Sequence, residues 1–107
     1  INSLQKNKCF IIILHGTDRL VNIAQYCKDK ITPKVPIIFS GAMIPLQCTN
    51  SDGIQNIIES LMIIQYILPN IYICFHNRLF DIYNVQKNYN FLRFENINMC
   101  DKIYDNV

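Results

Sequence analysis

The stretch that decides the fold is IIILHGTDR, residues 11–19 of the 107-residue chain. Four aliphatic residues in a row, three of them β-branched, are typical of a strand buried on both faces of a parallel sheet. The Gly16-Thr17-Asp18 sequence then predicts a turn that opens a helix, with Thr17 or Asp18 as its N-cap. Because open α/β sheets place ligands at the carboxyl ends of their strands, the same pair is a candidate site.

Hydrophobic periodicity extends this pattern along the chain. Aliphatic runs at 9–14, 37–39 and 71–75 predict strands, and apolar residues at helical spacing predict helices after Arg19 and from Ile54. This β-α-β-α-β order favours a parallel, flavodoxin-like α/β sheet with helical crossovers in three layers. Residues 1–8 are polar and predict an incoming loop, and alternation within 84–98 predicts short edge strands.

Composition excludes several classes of function. Half of the residues are hydrophobic and 17% are charged, which indicates one small packed domain. A net charge of +2, without a basic run, argues against nucleic-acid binding. The longest apolar stretch, 61–68, is far shorter than the roughly 20 residues of a membrane span. The five cysteines are odd in number and form no CxxC, so neither a disulfide framework nor a zinc site is expected, and a reducing cytosol is favoured.

Polar loops at 15–18, 40–53 and 76–87 follow the three predicted strands and should meet at one edge of the sheet. The side chains in these loops that are suited to catalysis or ligand binding are Thr17, Asp18, Ser51, Asp52 and Lys87. A threonine hydroxyl is a weak nucleophile unless a base or a cation lies beside it. On spacing alone this signal is weak, since Thr-Asp before a helix is usually a cap and a lone lysine is usually solvated. Both histidines likewise read as structural residues.

Taken together, these loops resemble the bacterial-type L-asparaginase family. The resemblance covers residues 9–87 and rests on four motifs in the family's order, followed by its lysine. They are HGTD at 15–18, GAMIPL at 41–46, SDG at 51–53 followed by Asn56, FHNRLF at 75–80, and Lys87. The segments 44–46 and 77–79 look more like the cytosolic type I branch than the secreted type II branch.

The resemblance implies hydrolysis of L-asparagine to aspartate and ammonia, without a metal or an organic cofactor. Thr17 would stand beside the reacting amide, activating water or serving as the nucleophile. Asp18 would bind the α-ammonium group of the substrate, and Lys87 would lower the pKa of the Thr17 hydroxyl. The backbone around Ala42 would face the side-chain amide. A cytoplasmic homodimer or homotetramer is expected, with no nucleic-acid or membrane partner.

The resemblance also implies that part of the family's machinery lies outside this stretch. The family's other catalytic threonine belongs to a glycine-rich loop before the first residue here, and a small C-terminal domain follows. Residues 1–107 are therefore expected to be a single partial domain, the central part of the large N-terminal domain, and to be inactive alone.

Residues 81–86 depart from the family pattern, and this departure motivates the first of two alternatives. Ile82 stands where a glycine is common and would be strained there at a positive φ, so this loop must be rebuilt. One alternative is a non-catalytic binding or assembly module that kept the fold. The other is the tRNA-dependent amidotransferase component that uses the same fold to free ammonia from glutamine.

Overall fold

The computed structural model describes residues 9–97. Three parallel strands alternate with two helices, and a fourth strand pairs antiparallel to the third, so that the sheet order is β1-β2-β3-β4. The elements are β1 (Ile11–Leu14), α1 (Leu20–Lys30), β2 (Ile37–Ser40), α2 (Gly53–Ile63), a 3₁₀ turn (Ile64–Tyr66), β3 (Ile71–Phe75), β4 (Arg78–Asp81), β5 (Val85–Asn88) and β6 (Arg93–Asn96). The predicted element order is confirmed, with small shifts at the strand ends.

The sheet is covered on both faces. Along β2, Ile37 and Phe39 point into one buried cluster, which α1 closes with Leu20 and Ala24. Ile38 points the other way and packs in a second cluster with Ile64 of the 3₁₀ turn. This alternation follows from the two-residue period of a strand. The three-layer α/β architecture is confirmed.

Strand β1 is present, but it is not the fully buried strand that its composition predicted. It begins at Ile11, and Leu14 at its carboxyl end is 54% exposed. All four residues of β2 are buried instead. The reason is position, because β1 lies at the edge of the sheet formed by residues 9–97 whereas β2 lies between two neighbours.

Helix α2 packs a polar face against the sheet. Its buried residues are Gly53, Asn56 and Ser60, whereas Ile54 and Met62 are each 65% exposed. The helical spacing of the aliphatic residues therefore identified the helix but not the face that packs on the sheet. On this inner face the Asn56 side chain forms hydrogen bonds with the surrounding loops. The Ser60 hydroxyl donates to the backbone carbonyl of Asn56 at 2.7 Å.

A two-residue turn joins β3 to β4. His76 and Asn77 both have positive φ, 51° and 65°, as the type I′ hairpin turn requires. The amide N–H of His76 donates to Asn56 Oδ1 at 3.0 Å, and that of Asn77 donates to Glu59 Oε1 at 2.9 Å. Helix α2 thus holds this turn.

The edge strands predicted within 84–98 are found as the hairpin β5–β6. It packs on the sheet through Phe94, whose ring centroid lies 4.8 Å from that of Phe75. The polar loop predicted for residues 1–8 lies outside the described residues. Within 9–97, every helix is too short or too polar to span a membrane.

Candidate active site

Thr17 and Asp18 follow β1 but do not cap the helix after it. Helix α1 begins at Leu20, and its N-cap residue, Arg19, makes no capping hydrogen bond through its side chain. The predicted cap is therefore wrong. The physical reason is that both side chains accept hydrogen bonds from Lys87 instead.

Lys87 joins the threonine and the aspartate. Its Nζ donates to Thr17 Oγ1 at 2.7 Å and to Asp18 Oδ1 at 2.8 Å. The lysine side chain is 11% exposed, whereas the aspartate side chain is 77% exposed. The hydrogen bond from Lys87, and then its positive charge, hold the pKa of Asp18 below its ordinary value. We refer to these three residues as the lysine cluster.

Strand β5 delivers the lysine to this position. Lys87 lies opposite Phe94 on β6, and Val85, on the same face of β5, is buried in the main core together with Phe94. The buried anchors orient the strand, so the long lysine side chain can reach the end of β1. A surface residue, Tyr89, lies beneath the ammonium, with its ring centroid 4.6 Å from Nζ.

The loop before Lys87 is rebuilt on helix α1. Gln25 Nε2 donates to the carbonyl of Ile82 at 2.7 Å, and the Tyr83 hydroxyl donates to Asp29 Oδ1 at 2.8 Å. Ile82 itself is buried. Among the described residues, positive φ occurs at other positions only, so Ile82 carries none of the strain that a left-handed backbone would impose. The unusual loop sequence thus still presents Lys87 to Thr17.

A second cluster, the Asp52 network, consists of Asp52, Asn56, His76 and the backbone N–H groups of Met43 and Ile44. Met43 N and Ile44 N each donate to the carboxylate at 3.1 Å, Asn56 Nδ2 donates at 3.0 Å and His76 Nε2 donates at 2.7 Å. Burial raises the pKa of Asp52, but the hydrogen bonds from Ile44, His76 and Met43 outweigh it and leave the pKa below its ordinary value.

The predicted cluster of five side chains is therefore divided into two groups by its contacts. Ser51 Oγ donates to the carbonyl of Ile44 at 2.6 Å and accepts from Gly53 N at 3.1 Å. Ser51 and Asp52 thus hold the loop after β2, which carries Ala42, rather than bonding to the threonine. The sequence did contain a signal for this, since residues four apart, such as Asp52 and Asn56, share one face of a helix.

The loop carrying Ala42 lies against the end of β1. A Cβ on Gly41 would come within 2.4 Å of the His15 carbonyl oxygen, so only glycine allows this approach. His15 in turn donates its amide N–H to Ser40 O at 3.0 Å. The two loops after neighbouring strands are thus joined just before Thr17.

The geometry of the lysine cluster suits nucleophilic or general-base chemistry at the Thr17 hydroxyl. An ammonium group within hydrogen-bonding distance of a hydroxyl stabilises negative charge that develops on the oxygen. An exposed carboxylate beside it can bind a cationic group of a small molecule.

Comparison with known proteins agrees with this architecture. The family model for "Asparaginase, N-terminal" matches residues 2–101. This chain belongs to the asparaginase family. It is 37% identical over 73 residues to an L-asparaginase of Dirofilaria immitis, and 30% identical over 71 residues to a 60 kDa lysophospholipase of Mus musculus. It is 29% identical over 82 residues to one component of the glutamyl-tRNA(Gln) amidotransferase of Methanobrevibacter smithii.

The crystal structure of L-asparaginase I from Vibrio cholerae superposes on this asparaginase-family chain with a TM-score of 0.82, at 26% identity and over 92% of the chain. Each match covers only part of the relative. The alignment with the Dirofilaria L-asparaginase covers 64% of this chain and 12% of that relative. With the mouse protein it covers 64% of this chain and 13% of the relative. With the amidotransferase component it covers 77% of this chain and 19% of the relative. For the Vibrio structure the share is 31%.

Proposed function

We propose that this chain is part of an L-asparaginase that hydrolyses the side-chain amide of L-asparagine to aspartate and ammonia. The observation that carries the proposal is the bridge from Lys87 Nζ to Thr17 Oγ1 and Asp18 Oδ1, built across 70 and 69 residues of sequence. The identity to the Dirofilaria L-asparaginase and the fold shared with the Vibrio enzyme support it.

In this proposal each residue of the lysine cluster has a separate task. Thr17 stands beside the amide carbon and activates water or attacks directly, and Lys87 stabilises the charge on its oxygen. Asp18 accepts hydrogen bonds from the substrate's α-ammonium group, which its exposed carboxylate is free to reach. The backbone around Ala42 faces the side-chain amide. Water adds to the carbonyl carbon, the C–N bond breaks, and the nitrogen leaves as ammonia with a transferred proton.

The proposed unit is a single partial domain comprising residues 1–107, the central part of a large N-terminal asparaginase domain. The family-model match to residues 2–101 supports this assignment. We place the protein in the cytoplasm, because residues 44–46 and 77–79 resemble the type I branch. Since the resemblance assigns a further catalytic threonine to a preceding segment, we expect no ammonia release from the isolated 107 residues.

We also propose that the protein forms a homodimer or homotetramer. The exposed aliphatic face of α2 supports this, as it lines a groove of about 1000 Å³ shared with β4. Its exposed residues include Ile54, Ile58 and Met62. A contiguous apolar surface of this kind is typical of an association site. Ile58→Glu should lower the molecular mass measured by light scattering, and an unchanged mass would contradict this interface.

A second candidate function is that of an amidotransferase component that acts on glutamine. The similarity to the Methanobrevibacter amidotransferase favours it. The two functions differ by one methylene in the substrate side chain. Ammonia release from glutamine but not from asparagine by the full-length protein would select this candidate.

The decisive experiment compares Thr17→Val with Thr49→Val in the full-length protein. Valine has the shape of threonine without the hydroxyl, and Thr49 is an exposed loop residue. We expect ammonia release from asparagine to fall by about 100-fold or more in the first variant, and to stay unchanged in the second. A wild-type protein that releases no ammonia from either amino acid overturns the enzymatic proposal.

A further inference from the structure

The Asp52 network ties three segments to one carboxylate. The segments are the loop after β2, the first turn of α2 and the turn between β3 and β4. Both oxygens of Asp52 accept from the loop backbone, with Ile44 N on Oδ1 and Met43 N on Oδ2. His76 completes the set from the hairpin turn at 2.7 Å. The carboxylate therefore accepts four hydrogen bonds from the protein, one on Oδ1 and three on Oδ2.

The same network reaches the lysine cluster through the backbone. Asn56 Nδ2 donates to the Gly41 carbonyl at 2.9 Å, and Gly41 lies directly against the carbonyl of His15. His15 belongs to the turn that carries Thr17. The loop that bears Ala42 is thus held at one end against the threonine turn and at the other end by Asp52.

We propose that Asp52 is a positioning residue for amide hydrolysis, and that His76 and Asn56 orient its carboxylate. The network sets where the backbone around Ala42 stands relative to Thr17, and hence where the substrate amide is held. The inference rests on the proposed function, because it concerns the geometry of that same site. A backbone displaced by about 1 Å can reduce an enzymatic rate by about 100-fold.

The negative charge of Asp52 is required by the pattern of donors. Each of its oxygens receives a backbone N–H, and Oδ2 also receives Asn56 and His76. In Asp52→Asn one oxygen becomes an amide NH₂ that faces a backbone N–H. Two donors then oppose each other, so one of them is left without an acceptor and the loop must shift.

The test measures kcat and KM for asparagine in the full-length protein carrying Asp52→Asn. Glu95→Gln is the control, because it also replaces a carboxylate by an amide, but on the face of β6 opposite to Phe94, where the carboxylate contacts Asn88 and Arg93. We expect kcat to fall by about 10- to 100-fold in the first variant, with KM within threefold of wild type, and no change in the second. A loss of thermal stability alone, with kcat within twofold of wild type, overturns the proposal.

The pair His76→Gln and His76→Leu keeps the proposal testable should Asp52→Asn fail to fold. Both replacements are unbranched at Cβ and meet the same backbone at φ 51°, but glutamine alone can donate to Asp52. We expect glutamine to retain kcat and leucine to lose it by about tenfold; equal kcat values overturn the proposal. If the wild-type protein hydrolyses neither asparagine nor glutamine, both the proposed function and the positioning role are overturned. If the wild type is active and Asp52→Asn turns over normally, only the positioning role is overturned.

Discussion

The lysine cluster and the Asp52 network both centre on an aspartate, yet they solve opposite problems. Asp18 is open to solvent, and within residues 9–97 it has one hydrogen-bonding partner, a lysine 69 residues away. Asp52 is partly buried and has partners within 24 residues, two of which are backbone N–H groups. An exposed carboxylate with one partner can bind a ligand, whereas one that accepts four hydrogen bonds from the protein holds the segments around it. The contrast supports the proposed substrate-binding role of Asp18 and the proposed positioning role of Asp52.

Replacing Lys87 should reduce activity more than any change in the Asp52 network. In Lys87→Met the apolar stem is kept and the charge beside Thr17 is lost, so we expect kcat for asparagine to fall by about 100- to 10,000-fold. Lys30→Met is the control, because that lysine contacts the Tyr26 ring at the end of α1. Steady-state ammonia assays measure the effect. Turnover within tenfold of wild type would mean that Lys87 takes no part in the chemistry.

Lowering the pH should reduce the stability of the protein through Asp52 but hardly through Asp18. The pKa of Asp52 is lowered in the folded protein. The ionised carboxylate therefore stabilises the fold above pH 3.8, the ordinary pKa of an aspartate, and this stabilisation is lost as the pH falls further. We expect Asp52→Asn to flatten the fall in Tm between about pH 5 and pH 2.5. Asp18→Asn should leave that fall nearly unchanged, because an exposed ion pair contributes little. Parallel curves for wild type and Asp52→Asn, measured by scanning calorimetry, would contradict this difference.

The smallest effect is expected at the edge of the lysine cluster. The Tyr89 ring lies beneath the Lys87 ammonium but is itself 63% exposed. A cation–π contact at such a site contributes about 0.5–1 kcal/mol. We therefore expect Tyr89→Leu to reduce kcat by about two- to fivefold, with Tyr89→Phe close to wild type. A loss in the phenylalanine variant equal to that in leucine would show that the hydroxyl, not the ring face, matters.

Local sequence patterns predicted the elements well and their surroundings poorly. The run 71–75 was predicted as a strand and is β3, and the alternation after residue 84 marks β5 and β6. The same patterns predicted a cap at Thr17 or Asp18, which is not observed, and they identified α2 without indicating that its polar face packs on the sheet. Periodicity reports that a segment is amphipathic, but it does not report which partner lies beside it.

By itself, the sequence determined the order of strands and helices and the family to which the chain belongs, because both depend on patterns within short segments. The resemblance implied that Lys87 acts on Thr17, but only the tertiary structure decided that the altered loop at 81–86 and a hairpin anchored by Val85 and Phe94 bring the ammonium to that hydroxyl. It also decided that Asp52 accepts hydrogen bonds from the backbone of the loop after β2. Hydrogen bonds between distant segments depend on how the layers pack, and side-chain spacing along the chain carries no record of that packing.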